Sequence, residues 1–135
     1  IPAYNDYIPR SQVSEGVSLA DGLKIRIADN LQDGKCTSEG DPASGEVGNT
    51  DMGKYALATI EGTPDANLAG LTPKGPNGCK VKIEYGKGTA GDNISPFIKG
   101  QMLVLNQLVN GSYDKDSSST VKPKFLPKAW KEATP

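Results

Sequence analysis

The apolar positions of the first thirty-one residues, IPAYNDYIPRSQVSEGVSLADGLKIRIADNL, recur with the period of a helix. With Val13 as origin and 100° per residue, Val17, Ala20, Ile27 and Leu31 fall within about 40° of one line. Lys24 lies inside this stripe, where its methylene stem can follow the apolar surface while the ammonium stays in water. Leu19 and Ile25 fall roughly 120° off the stripe, one on each side. A helix that covers only one sheet needs neither. They predict a second contact surface, or else are singly exposed aliphatics of the ordinary kind. At about 1.5 Å per residue the helix would span roughly 46 Å, more than a small single domain is thick, so its N-terminal end is expected to overhang. That end opens with the apolar IPAY and is expected to be the cut end of something longer.

Pro2 suits a helix start. Pro9 removes one backbone hydrogen bond and crowds the carbonyl of Asn5, which predicts a kink or break near residues 5–9 and a regular helix from Ser11. Asp29, Asn30, Asp33 and Gly34 form the predicted stop. Residues 32–54 are rich in Gly, Asp, Ser and Thr without periodicity and read as a long surface loop. Alternation then predicts four strands. They are Tyr55–Glu61; Cys79–Tyr85, with Cys79, Val81, Ile83 and Tyr85 inward; Gln101–Leu108, with Leu103 and Leu105 on one side; and Val121–Leu126, which Pro123 confines to an edge or a bulge. The layout is α+β: a long N-terminal helix packed on a four-stranded antiparallel sheet, one domain over residues 1–135, ending in a tail from residue 127.

Composition fits that layout. A chain of 135 residues can bury one core, and 26 Gly and Pro residues imply much loop. No apolar run approaches the roughly twenty residues of a membrane span, so the chain as it stands is expected to be a soluble monomer. The net charge of −1 is unevenly spread. From Asp29 to Asp65 eight acids face two lysines, a net of −6; from Ala66 to Pro135 ten lysines face five acids, a net of +5. Opposite halves could serve head-to-tail packing between subunits, or could be solvated loops of different charge. The acidic pI of about 5.4 argues against strong non-specific DNA binding. Of the two cysteines, Cys36 follows the helix and Cys79 opens a strand. In an exported protein they would pair; otherwise they would be buried thiols.

Catalysis finds little support. The chain has no histidine, the usual general base near neutral pH, and no cofactor is implied. Gly86-Lys87-Gly88-Thr89-Ala90-Gly91 has the dinucleotide-loop spacing, but Asp92-Asn93-Ile94-Ser95-Pro96 does not open the helix that such a loop needs. Asp114, Asp116 and Ser118 have the alternate spacing of calcium ligands without the sixth-position glycine or the closing glutamate, and so read as a solvated turn. Asn93 and Asn110 sit in N-glycosylation patterns, and Ser117–Thr120 is a hydroxyl cluster open to O-linked sugar. The tail sets Lys122, Lys124, Lys128 and Lys131 beside Phe125 and Trp130. It could contact an anionic partner, a neighbouring subunit or a glycan, or the aromatics could simply pin the C-terminus to the sheet.

The run IPAYNDYI-RSQVSEG-SLADGLK, over residues 1–24, resembles the start of the exposed part of a type IVa major pilin, and Phe125-Leu126-Pro127-Lys128 resembles the FIPK near that family's C-terminus. The resemblance implies the pilin fold and a structural subunit of a bacterial type IV pilus, an extracellular filament used for adhesion and twitching motility. It also implies a membrane-anchored precursor with a hydrophobic helical segment ahead of Ile1 and a methylated N-terminus in the full-length protein. The partners implied are other pilin subunits, the assembly machinery with its ATPases, host or abiotic surfaces and, more weakly, DNA. Leu19 and Ile25 are then candidate filament contacts, Cys36–Cys79 a disulfide, and Lys122, Lys124, Lys128 and Trp130 a candidate surface-binding group. Two departures stand out. Pro9 replaces the family's common alanine. Trp130 occupies the position of the second cysteine of a C-terminal disulfide loop, with no cysteine near Asp114–Asp116 to partner it. Adhesive properties tied to that loop therefore do not carry over. The alternatives are a minor pilin or secretion-system pseudopilin, or a secreted module reading glycans through Tyr55, Tyr113 or Trp130.

Overall fold

One helix, α1 (Pro2–Gln32), lies across an antiparallel sheet whose strands follow in chain order, β1 (Thr50–Met52), β2 (Ala56–Gly62), β3 (Pro76–Tyr85), β4 (Met102–Leu108) and β5 (Tyr113–Lys115). The computed structural model describes residues 2–37, 49–65 and 75–126, with side chains from residue 7 onward. Alternation sets the faces: Ala58, Ile83 and Leu103 lie in one register row, as do Ile60, Val81 and Leu105, and all six are fully buried beneath the helix. Lys82 and Glu61 on the opposite face are 3.6 Å apart and partly exposed.

The side of α1 that meets the sheet is wider than its aliphatics alone indicate. Val13, Ala20 and Ile27 are fully buried, and so is Leu23, which lies about 80° from Val13. Pro9, Gln12 and Gly16 are buried on the same side. The contact is thus centred about 45° from Val13, and Val17 and Leu31 become its half-buried margin. The reason for the shift is Gly16. A Cβ there would stand 2.5 Å from the hydroxyl of Tyr85 and 2.8 Å from Cγ2 of Ile83. Only a residue without a side chain lets the backbone of α1 come this close. At that approach the Tyr85 hydroxyl donates to the carbonyl of Val13 (2.8 Å), and about two turns further on the Tyr113 hydroxyl donates to the carbonyl of Ala20 (2.8 Å). Burial, seconded by nearby Glu15, pushes the Tyr85 phenol far above its ordinary range; burial, with Asp21 second, does the same to Tyr113. Both stay protonated and donating.

Three expectations are corrected. The helix does not break at Pro9 but runs unbroken from Pro2 to Gln32. One lost donor is offset where the ring is itself buried. The sheet has five strands rather than four. Of these, β1 lies inside the stretch read as loop, and β5 was unassigned; three residues are too few to display a period. Finally, Val121–Leu126 is no strand: Pro123–Phe125 forms a single 3₁₀ turn that drives Phe125 and Leu126 into the core. The edge of β4 beyond β5 is closed by hydroxyls instead. Thr120 Oγ1 accepts from Met102 N–H (2.9 Å) and Ser119 Oγ from Val104 N–H (2.9 Å).

The helix stops as predicted. Gly34 takes the left-handed conformation (φ 75°), its N–H reaches the carbonyl of Leu31, and Lys35 N–H reaches that of Asn30. Asn30 Nδ2 then holds the carbonyl of Cys36 (2.9 Å), delivering that residue to Cys79, with Cα atoms 5.4 Å apart in the disulfide. Both cysteines are buried, at the end of the core away from Pro9.

Two variants test this account. Gly16→Ala gains up to about 1 kcal/mol of helix propensity. It must nevertheless push Tyr85 off the Val13 carbonyl, so a net destabilisation of about 1–2 kcal/mol is expected in urea unfolding. A neutral or stabilising result would refute the close approach. Replacing both cysteines by serine opens a loop whose ends are 43 residues apart. Chain entropy sets a loss of up to about 4 kcal/mol, read by thermal unfolding as a drop on the order of 10 °C.

Candidate functional site

The geometry just described divides the two off-stripe aliphatics. With the buried side of α1 centred about 45° from Val13 toward Leu23, Leu19 falls on its flank and Ile25 almost diametrically opposite. Leu19 is half-buried and lies against the β1–β2 turn, where a Cβ on Gly53 would stand 3.1 Å from its Cδ1. The same turn is held to the helix by Glu15 Oε1, which accepts from Tyr55 N–H (3.1 Å). Arg26 donates to the carbonyl of Thr50 (3.0 Å) nearby. Ile25 is 74% exposed. Its side of α1 continues through Ser11, Ser14, Ser18 and Gly22, all exposed. This is a nearly bare helix face with one large aliphatic on it.

The second cluster of candidates lies where the C-terminal segment crosses the helix. Arg10 Nε donates to the carbonyl of Lys124 (2.8 Å), and the Lys124 ammonium stands 5.1 Å from the centre of the Phe125 ring. Phe125 pins this segment inward, while Lys122 and Lys124 point to solvent. Lys128 and Trp130 lie outside the described residues.

The remaining motifs are absorbed by the fold. In the glycine-rich loop, Thr89 N–H donates to Gly53 and Ala90 N–H to Lys54. Amides that would cradle a phosphate are therefore committed to the β1–β2 turn. Asp116 likewise spends its carboxylate locally, accepting from Asn106 Nδ2 (2.9 Å) and from the amide (3.0 Å) and hydroxyl of Ser118. The Ser118 hydroxyl, then Asn106, then the Ser118 amide hold its pKa down at about 2. Among the described residues no group of three or more His, Cys, Asp or Glu is placed to hold a metal. Tyr113, a candidate glycan reader, is buried with its hydroxyl on α1 and cannot serve. Tyr55 is half-exposed, with Lys54 over its ring at 5.4 Å. Asn93 and Asn110 are both exposed; of the hydroxyl cluster Ser117 is exposed, Ser118 is exposed with its hydroxyl on Asp116, and Ser119 and Thr120 serve β4.

No helix among the described residues is long and apolar enough to cross a membrane. A family model described as Pilin (bacterial filament) matches residues 9–131. The chain belongs to the pilin family. It is 96% identical over 135 residues to the type IV major fimbrial protein FimA of Dichelobacter nodosus strain VCS1703A, covering all of this chain and 83% of that relative. It is 72% identical over 132 residues to a further D. nodosus FimA, covering 98% of this chain and 82% of the relative. A D. nodosus fimbrial protein matches at 61% over 132 residues, covering 97% and 81%. The pilin is a structural subunit of a type IV pilus, found outside the cell in the filament with other pilin subunits as its partners. Adhesion and motility are typical of the family.

Ile25 was legible in the pilin's sequence as an aliphatic off the stripe. Phe97 and Met52, 51% and 56% exposed, were not. Met52 ends the three-residue β1 and Phe97 sits in an irregular loop, where only a large apolar residue among Gly, Pro and Asp could have drawn notice.

Acid unfolding tests the turn at Asp116. Its folded pKa of about 2 lies below the ordinary 3.8. The stabilisation is therefore full above about pH 4 and lost as pH falls toward 2. The gap in Tm between wild type and Asp116→Ala should be constant near neutrality and close across that window. A gap that persists at about pH 2 would show that the carboxylate is not the source.

Proposed function

We propose that this pilin polymerises through α1, using the face that the sheet leaves bare, with Ile25 as the principal contact and Leu19 contributing at its margin. The observation that supports this reading is the exposure of Ile25, 74%, on a helix whose opposite side is fully buried. A large aliphatic on water gains on the order of 2 kcal/mol when a neighbour covers it. An apolar helical segment ahead of Ile1 would anchor the subunit in the inner membrane before assembly and then join the filament core, with the assembly machinery and its ATPases acting on the anchored form. The chain is a filament component with no catalytic role. At the exposed end of the filament, where no neighbour covers them, Lys122 and Lys124, with Lys128 and Trp130 beyond them, would meet host or abiotic surfaces. DNA is a weaker candidate for the same lysines because the chain as a whole is acidic.

Ile25→Glu in the full-length protein tests the assignment. The variant domain should unfold within about 0.5 kcal/mol of wild type, because the side chain touches no core residue. Sheared surface filaments should fall by about tenfold or more, the equivalent of losing one apolar contact per junction. Normal piliation would sink the proposal. Leu19→Glu is the poorer test, since it would also disturb the packing against Gly53.

A further inference from the structure

We infer that the pilin carries two mating surfaces for a second copy of itself, a basic knob built on Phe97 and an acidic rim built on Ile25, and that these meet head to tail between neighbouring subunits. The inference rests on the filament-subunit reading and adds to it which surface Ile25 meets.

Phe97 is half out of the protein, and its inner edge rests on the buried ring of Phe125, with centroids 5.9 Å apart. It is held there. Phe97 N–H donates to Ser95 Oγ (3.2 Å), and Ser95 N–H donates to the buried Gln12 Oε1 on α1 (2.8 Å). A fixed, half-exposed aromatic loses little freedom when covered, which is the character of an interface anchor. Cations surround it. Lys124 stands over Phe125, Arg10 binds the Lys124 carbonyl, Lys122 is two residues away, and Lys99 follows in the same loop, 3.7 Å from Asp92.

Ile25 has the opposite surroundings. Asp21 and Asp29 lie one turn to either side on the helix surface. Asp51 lies against Gly22, its Oδ2 3.7 Å from where a Cβ there would stand. The nearby cations are engaged with the protein: Lys24 pairs with Asp21 (3.4 Å) and stands over Tyr113, while Arg26 binds Thr50. Each surface thus has an apolar centre of good size and a rim in which one sign predominates: Asp21, Asp29 and Asp51 against Lys24 and Arg26 around Ile25, and Arg10, Lys99, Lys122 and Lys124 against Asp92 around Phe97. The apolar centres supply burial, and the rims fix orientation and reject like-to-like pairing.

The two surfaces cannot meet within one subunit. Arg10 and Ile25 are fifteen residues apart on α1, roughly 22 Å along its axis. A second copy must supply the mate. A contact between unlike patches is heterologous and, where it does not close into a ring, propagates as a filament.

Cysteine crosslinking in native filaments tests this. Within residues 1–135 the two cysteines are paired with each other. Full-length protein carrying Ile25→Cys, Phe97→Cys or both is assembled, sheared from cells and treated with a short bis-maleimide. The double variant should give a ladder of dimers, trimers and higher species, and each single variant only monomer. Dimers from either single variant, or monomer alone from filaments of the double variant, would overturn the inference. Should the cysteines impair assembly, charge exchange decides. Lys122→Asp with Lys124→Asp should lower filament yield about tenfold, and adding Asp21→Lys with Asp29→Lys should restore most of it. No loss, or no restoration, would overturn the pairing. Wild-type protein forming no filament in the same cells would instead fail the subunit reading, an outcome distinct from a ladder missing in filaments that do form.

Discussion

The structure depends on the close approach of α1 to the sheet at Gly16. Because that residue brings no side chain, the helix backbone descends onto Ile83 and Tyr85, and the Tyr85 hydroxyl reaches the carbonyl of Val13. That one seat sets the rotation of the helix about its axis. Once it is fixed, Leu23 and Ile27 must point inward, Leu19 must lie along the β1–β2 turn, and Ile25 must point away. The polar links spaced along the helix, from Arg10 and Gln12 through Glu15 to Arg26, then register the surrounding loops to it. A buried hydrogen bond adds modestly to stability but costs heavily when left unmade, so these links specify one rotation more than they strengthen it.

Much of this was legible in the sequence, and the parts that were not share a physical origin. The helix announced itself because thirty-one residues sustain a period, and β3 because Cys79, Val81, Ile83 and Tyr85 alternate cleanly. The centre of the buried side lies about 45° from the Val13 line because Leu23, Gly16 and Gln12 bound it on the far side, and two of these three are not aliphatic. Hydrophobicity counts what fills a contact and misses the positions that work by being small or by donating a hydrogen bond. Both β1 and β5 were missed because three residues hold no pattern; they exist through their neighbours, β5 through Tyr113 anchored on α1 and β1 through pairing with β2. The tail resembled a strand because Val121, Pro123 and Phe125 alternate with Lys122 and Lys124, but Pro123 at the start of a 3₁₀ turn is a geometry that alternation cannot distinguish.

The candidate site followed the same division. Ile25 was visible as an aliphatic with no reason to face the sheet. The proposed mate, Phe97, sits in a loop without period, and only the geometry shows that Gln12 and Phe125 hold its ring half in water. Tyr113 went the other way. Its aromatic ring near a polar loop read as a possible ligand platform, yet burial converts it into a clamp on Ala20. Type alone does not separate a binding aromatic from a structural one; what its hydroxyl touches does.

A filament subunit has to be rigid where it is handled and sticky only where it is meant to join. In this pilin the disulfide and the helix stop stiffen one end of the core, while Phe125 and the Arg10 contact close the other. From Arg10 to the end of α1 Ile25 is the one large hydrophobic exposed among the described residues, with Tyr7 and Ile8 exposed nearer the N-terminus, and the sheet's outer face is salted with Lys82 and Glu61. Exposed apolar residues therefore survive at a few positions, each with a rim of definite charge sign or none. Apolar contact alone would let any such patch join any other. Charge of opposite sign at opposite ends of the helix makes the unlike pairing favourable and the like pairing repulsive, which turns a tendency to aggregate into a directed one. Directionality of the filament would then arise from the same helix rotation that Gly16 imposes, since turning α1 by half a turn would bury Ile25 and leave the basic knob without its mate.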